Sequence, residues 1–248
     1  MITGATAGIG KATAALFAQE GYNLIITGRR AARLADLKEN LEKLHPIEVL
    51  TLAFDVRDKA EVQEAINEIP FSWQKIDVLL NNAGLAKGFS DIQEGNTEDW
   101  ETMIDTNIKG LLYVSRAIMP LMIANNNGQI VNIGSIAGKE VYAKGNVYCS
   151  TKHAVEAITK AMRMDLLPHK IKVSAVCPGA VETEFSEVRF DGDKKRAESV
   201  YDGYQPLKAD DVAEAVLFVC KRPAHVNIND LLIMPTAQAN TSNLLREN

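Results

Sequence analysis

Cysteine is scarce in this 248-residue sequence: Cys149, Cys177 and Cys220 are odd in number, far apart and form no CxxC pair. That argues against a disulfide scaffold or a thiolate zinc site and predicts a reducing, cytoplasmic setting. The four histidines, His45, His153, His169 and His225, show no metal-ligand spacing, so no metal is assigned. No stretch approaches 18 uninterrupted apolar residues, and the opening MITGATAGIGK lacks the charged and apolar regions of an export signal. Neither a membrane span nor export is predicted. Positive charge is in short supply too: 27 Lys and Arg against 32 Asp and Glu give a net charge of −5, which speaks against a general nucleic-acid binder. A small acidic substrate remains compatible with a local basic patch.

What is present is an ordinary globular composition, 46% hydrophobic and 24% charged. The length suits one large α/β domain over residues 1–248, and no repeat or Pro/Gly-rich linker divides it. Short apolar runs alternate with longer amphipathic stretches, the pattern of βαβ units. The runs predict strands over Tyr22–Thr27, Glu48–Phe54, Ile76–Asn81, Gln129–Ile133, Lys172–Val176 and Leu231–Met234. The amphipathic stretches predict helices over Lys11–Glu20, Arg30–Leu44, Lys59–Glu68, Thr97–Asn125, Asn146–Leu167 and Asp210–Cys220. The fold class is α/β, a doubly wound parallel sheet of Rossmann type. Val181–Lys208 reads as irregular and charge-rich, either a substrate lid or a plain surface excursion. Only Met1, Ile2 and Thr3 precede Gly4, where an interior strand usually takes five or six residues.

Thr3-Gly4-Ala5-Thr6-Ala7-Gly8-Ile9-Gly10 places three glycines between that fragment and a helix. Glycines let the backbone approach a pyrophosphate, and a helix N-terminus offers free N–H groups. A triphosphate-binding P-loop needs Gly and Ser/Thr where this chain has Ala5 and Ala12, and the GxGxxG spacing is not met either. What stands is TGxxxGxG, a phosphate cradle or a structural glycine turn.

This motif is joined, in order, by Asn81-Asn82-Ala83-Gly84, Asn107, Ser135, Tyr148-x-x-x-Lys152 and Pro178-Gly179. Together they resemble the short-chain dehydrogenase/reductase family over nearly the whole chain. The resemblance implies an NADP- or NAD-dependent oxidoreductase whose cradle, Gly4, Thr6, Gly8, Ile9 and Gly10, holds the pyrophosphate. It also sets Asn82, Ala83 and Gly84 against the cofactor, gives Lys152 the nicotinamide ribose, and brings Pro178, Gly179, Val181 and Thr183 to the nicotinamide end. Asp55 and Val56 resemble the family's adenine-contacting pair, with a helix cap and core packing as their plain alternative.

The end of the second strand selects the cofactor, because a carboxylate there would bind the ribose 2′-hydroxyl and repel a 2′-phosphate. This chain has Gly28-Arg29-Arg30 instead, and guanidinium suits phosphate. NADP is the expected cofactor, with Arg29 preferred over Arg30 as its partner.

Tyr148 and Lys152 share a helix face. A phenol with pKa about 10 is a weak base, and a cation about 6 Å away stabilises its phenolate by about 2.8 kcal/mol at an effective dielectric of about 20. Lys152 is the expected source of that charge. Ser135, just past an apolar strand, can donate to a substrate oxygen or merely end the strand. Asn107 has no propensity reason to lie in a helix, and the family match implies a water-mediated relay from it to Lys152. Cys149 points to another helix face and is expected to pack.

Glu184–Phe190, Pro223–Ile228 and Met234–Thr236, with Asp105–Asn107 and Gly28–Arg30, resemble the family's NADP-dependent 3-hydroxy acid dehydrogenases, which act on serine, allo-threonine and related acids. Such a substrate needs a cation for its carboxylate. Arg189 is the candidate, against a surface ion pair with Glu187 or Asp191. Substrate contacts are thus expected from Ser135, Tyr148 and Arg189. The competing functions are a carbonyl reductase for oxoacyl thioesters or sugars, and a non-catalytic NADP(H) sensor. The resemblance also implies a homotetramer built through the two long helices.

Overall fold

The computed structural model describes residues 1–247. In place of a regular first strand, Ile2 makes single parallel bridges to Ile26 on one side and Leu80 on the other. Ile2 N donates to Ile25 O at 2.8 Å, Thr3 N to Leu80 O at 3.0 Å, and the Met1 amino group to Val78 O at 2.7 Å. The extended run stops at Gly4, whose φ of +66° turns the chain out of the sheet.

From this central wedge follow α1 (Gly8–Gln19), β1 (Leu24–Gly28), α2 (Ala31–Leu44), β2 (Val49–Ala53), α3 (Lys59–Asn67) and β3 (Val78–Asn81). The second half runs through α4 (Thr97–Ile104), a π-helical segment (Asp105–Gly110), α5 (Leu111–Ala124), β4 (Gln129–Ile133), α6 (Asn146–Asp165) and β5 (Lys172–Pro178). It closes with β6 (Val181–Glu182), α7 (Phe185–Arg189), α8 (Lys194–Ser199), β7 (Leu207–Lys208), α9 (Ala209–Cys220) and β8 (Asp230–Ile233). The strand order β2-β1-Ile2-β3-β4-β5-β8 is parallel throughout. The chain winds outward from Ile2 through β1 to β2, then returns to β3 and winds the other way. That reversal opens a crevice at the carboxyl ends of the central strands, where doubly wound sheets hold ligands.

Both sheet faces are covered, so the central strands are mostly apolar; β4 is buried at all five positions, with Gln129 and Asn132 hydrogen-bonded inside the core. One face packs Ile26, Leu80, Val131 and Val176 against Phe17 of α1, Leu34 of α2 and Val212 and Val216 of α9. The other packs Leu79, Ile130 and Val173 against Val62 of α3, Val114 and Ile118 of α5 and Val155 and Met162 of α6. Among the described residues no helix is long and apolar enough to cross a membrane.

Two segments differ from the sequence reading. The long helix over Thr97–Asn125 is three pieces, because the π-helical turn widens the spiral at Asn107. Val181–Lys208 is folded rather than irregular: Val181 pairs with Leu207 and Glu182 with Lys208, closing a two-strand neck beneath α7 and α8.

Candidate active site

The crevice is a cleft of about 790 Å³ running from the glycine turn and Arg29–Arg30, past Ser135, Tyr148 and Lys152, to α7 and α8. Thr3 and Asn82 build its floor. The Thr3 hydroxyl accepts from Asn82 N and Ala83 N, both at 3.0 Å, and Asn82 Nδ2 donates to Thr3 O at 2.9 Å and Gly4 O at 3.2 Å. Asn82 lines the cleft, yet its amide is committed to shaping the glycine turn. Of the predicted cradle, Gly4, Thr6, Gly8 and Ile9 line the cleft and Gly10 does not. Gly10 lies behind it, where a Cβ would sit 2.5 Å from Gly4 O and from Asn82 Nδ2. Its smallness lets the helix close on the turn.

At the far end of β1, Arg30 is bound from two sides. Its Nε and one terminal nitrogen donate to the Thr6 hydroxyl at 3.1 and 2.7 Å, and the other reaches Glu184 at 3.2 Å. Arg29, more exposed, approaches only Asp55, at 3.8 Å. The geometry therefore ties Arg30 into the cleft wall more firmly than Arg29, because the Thr6 hydroxyl faces Arg30. Asp55 and Val56 line the cleft. Partial burial works against the Asp55 carboxylate, but hydrogen bonds from Arg57 and the charge of Arg29 hold its pKa below the ordinary value. The helix cap expected as its alternative is made by Asp58, which accepts from Ala60 N and Glu61 N.

Ser135, Tyr148 and Lys152 meet midway along the cleft. The Tyr148 ring packs edge-on to Phe185 of α7, centroids 5.6 Å apart. Burial, reinforced by neighbouring Tyr142, raises the Tyr148 phenol above its ordinary pKa of 10; the Ser135 hydroxyl and the charge of Arg189 oppose the rise. Lys152, the expected source of the opposing charge, lines the same cleft. Its ammonium turns toward the end of β4 and donates to Ile133 O at 2.9 Å. The cation facing the phenol is Arg189, its guanidinium carbon 5.9 Å from the Tyr148 ring centre.

Lys152 itself is fully buried, and that burial lowers its pKa from 10.5 to about 8. Between those values the unfolded chain holds a proton that the folded lysine has lost, so this contribution to stability rises with pH. The penalty of burying the charge is complete below about pH 8, and about 3 kcal/mol of it is relieved by about pH 10.5. Lys152→Met removes the penalty. Its advantage over wild type in unfolding free energy should therefore shrink by that amount across the window, and an advantage that does not change with pH contradicts the burial.

Asn107 does not line the cleft. Its Oδ1 accepts from Leu85 N at 2.9 Å, and Nδ2 donates to Leu85 O at 2.8 Å and the Thr151 hydroxyl at 3.0 Å. With both amide protons occupied, the side chain ties the loop after β3 to α6. Cys149 is buried among Met103, Ala137 and Tyr148, as a packing residue.

Arg189 lies over Phe89 at 4.8 Å and Tyr142 at 5.5 Å, and donates to the Tyr142 hydroxyl at 3.0 Å and Gly88 O at 3.3 Å. The alternative ion pairs are not made: Asp191 pairs with Lys87, and among the described residues no carboxylate pairs with Arg189. The sequence reading missed Tyr142 and Arg33, and it marked Glu184–Phe190 as a segment without giving Glu184 or Phe185 a contact. Arg33 lies one helical turn beyond Arg30, a spacing that could have found it. It also missed the group Glu156, Cys177 and Asp230 behind β5. Lys139 already pairs there with both carboxylates, so the cluster carries its own cation.

The short chain dehydrogenase family model matches residues 1–194. The chain belongs to that family. It is 46% identical to the NADP-dependent 3-hydroxy acid dehydrogenase YdfG of Salmonella typhi, over 96% of this chain and 95% of the relative. It is 42% identical to the NADP-dependent 3-hydroxy acid dehydrogenase of Schizosaccharomyces pombe, over 100% and 96%. Among solved structures, the closed form of serine dehydrogenase complexed with NADP⁺ superposes with a TM-score of 0.92 at 45% identity, covering 100% of this chain and 98% of that one.

The cleft of this short-chain dehydrogenase fits a phosphorylated dinucleotide on its own geometry. Its volume suits a large ligand, the turn at Gly4 leaves backbone open to a pyrophosphate, and guanidinium groups gather at the end where a 2′-phosphate would lie.

Proposed function

We propose that this NADP-dependent oxidoreductase oxidises the 3-hydroxyl of small 3-hydroxy acids, serine, allo-threonine or 3-hydroxyisobutyrate in type, and reduces the corresponding 3-oxo acids or semialdehydes in reverse. The observation that carries the substrate reading is Arg189, a guanidinium in the cleft beside Tyr148 with aromatic and neutral partners only. A substrate carboxylate would give it the bidentate partner it lacks.

In this reading Gly4, Thr6, Gly8 and Ile9 hold the pyrophosphate, Arg29 and Arg30 the 2′-phosphate, and Asp55 and Val56 the adenine. Ala83, Gly84, Lys152, Pro178, Gly179, Val181 and Thr183 line the path of the nicotinamide half. NADP held by these residues would supply the hydride acceptor for oxidation, and NADPH the hydride donor for reduction. Tyr148 takes the hydroxyl proton in oxidation. In reduction it donates that proton to the forming alkoxide, a direction its raised pKa favours. Ser135 donates to the same oxygen, and Arg189 restrains the carboxylate. With serine or allo-threonine the product is a 2-amino-3-oxo acid, a β-keto acid that loses CO₂ readily.

Arg29→Ala and Arg30→Ala should each weaken NADPH binding by about tenfold and NADH binding little, as charged hydrogen bonds to phosphate are removed. Equal losses for both cofactors would contradict the 2′-phosphate assignment. The folded segment over Val181–Lys208 serves as the substrate lid. The family resemblance further supports a homotetramer through α4–α5 and α6, where Leu112 and Met164 stand exposed; a single-chain mass by light scattering would contradict it.

A further inference from the structure

We propose that Glu184 is an internal competitor for the cofactor's 2′-phosphate, and that Arg33 is a further cation of that phosphate site. The proposal rests on the NADP reading above. Glu184 comes from the lid, more than 150 positions along the chain from the arginines it meets. One carboxylate oxygen accepts from Arg33 at 3.0 Å; the other accepts from Arg30 at 3.2 Å and from Arg33 at 3.3 Å. Two guanidinium groups side by side repel, and a two-oxygen anion between them relieves the repulsion. Although partial burial works against it, Arg30 and Arg33 hold the carboxyl below its ordinary pKa.

Carboxylate and phosphate are the anions guanidinium binds with the same forked geometry. They cannot share it, because a phosphate near charge −2 arriving beside a carboxylate meets like-charge repulsion. A 2′-phosphate therefore displaces Glu184, whereas the uncharged 2′-hydroxyl of NAD has no charge with which to do so. The displacement matters because Glu184 immediately precedes α7. Thr183 before it lies against Gly8, where a Cβ would be 3.3 Å away, while Phe185 and Arg189 after it reach Tyr148. The ion pair thus tethers the helix above the catalytic tyrosine to the phosphate end of the cleft, and the phosphate releases that tether.

Calorimetric titration of the cofactor-free protein with NADPH, NADH, adenosine 2′-monophosphate and adenosine 5′-monophosphate tests this. Glu184→Gln should bind NADPH and the 2′-monophosphate about three- to tenfold more tightly than wild type, with NADH and the 5′-monophosphate little changed. Arg33→Ala should weaken the 2′-phosphorylated ligands by about tenfold. In wild type the 2′-monophosphate alone should speed amide exchange over residues 184–189, and Glu184→Gln should abolish that response. Unchanged or weaker 2′-monophosphate binding by Glu184→Gln overturns the competitor, as does equal tightening for NADH. Absence of the exchange response overturns the tether. A wild-type protein that prefers NADH to NADPH overturns the cofactor reading itself, and this proposal with it.

Discussion

Tyr148→Phe should lower kcat by about 10²–10⁴-fold while leaving the NADPH dissociation constant nearly unchanged. The ring contributes packing, against Phe185 and within the cluster of Met103, Ala137 and Cys149, and the substitution keeps all of that. What it removes is one hydroxyl, the group whose raised pKa Ser135 and Arg189 oppose. A proton-transfer group is needed only when the alkoxide forms or collapses, so its loss falls on turnover rather than on cofactor binding. Single-turnover rates beside equilibrium titrations separate the two. Near-normal turnover in the variant would remove Tyr148 as acid and base.

The second large effect belongs to Arg189→Met, which should raise KM for a 3-hydroxy acid about a hundredfold or more, the scale on which loss of one partner of a charged, hydrogen-bonded pair falls. Methionine retains much of the apolar stem between Phe89 and Tyr142 but carries no charge. Because Arg189 also opposes the rise in the Tyr148 pKa, kcat should fall as well, and a neutral substrate distinguishes the two roles. Turnover of an uncharged 3-hydroxy carboxamide should show the kcat loss without the KM rise. Comparable KM rises for acid and amide would mean that the guanidinium shapes the cleft rather than binding a carboxylate.

Much of this architecture was legible in the sequence for identifiable reasons. Strands buried on both faces are rich in β-branched apolar residues, so Gln129–Ile133, with Ile130, Val131 and Ile133, was readable to the residue. Tyr148 and Lys152 share a helix, and i,i+4 spacing brings side chains to one face regardless of the rest of the fold. Where the reading faltered, the determining contact joins distant segments. Nothing local to Asn107 reveals that Leu85 and Thr151 take its side-chain amide. Spacing alone also cannot show that the Lys152 ammonium donates to the Ile133 carbonyl. Glu184 was unreadable as a partner of Arg30 and Arg33, since the order of the chain gives no register between the lid and α2. Gly10 matched its motif, but whether a glycine faces ligand or backbone is decided by the close approach of Gly4 and Asn82.

The account meets its most direct test in initial rates of NADP⁺ reduction by purified protein with serine, allo-threonine and 3-hydroxyisobutyrate, each beside its uncharged carboxamide and beside bulky secondary alcohols. Turnover of at least one of the three acids, with its carboxamide and the bulky alcohols far slower, is the predicted result. No NADPH formed from any 3-hydroxy acid, with bulky alcohols oxidised readily, would contradict the account.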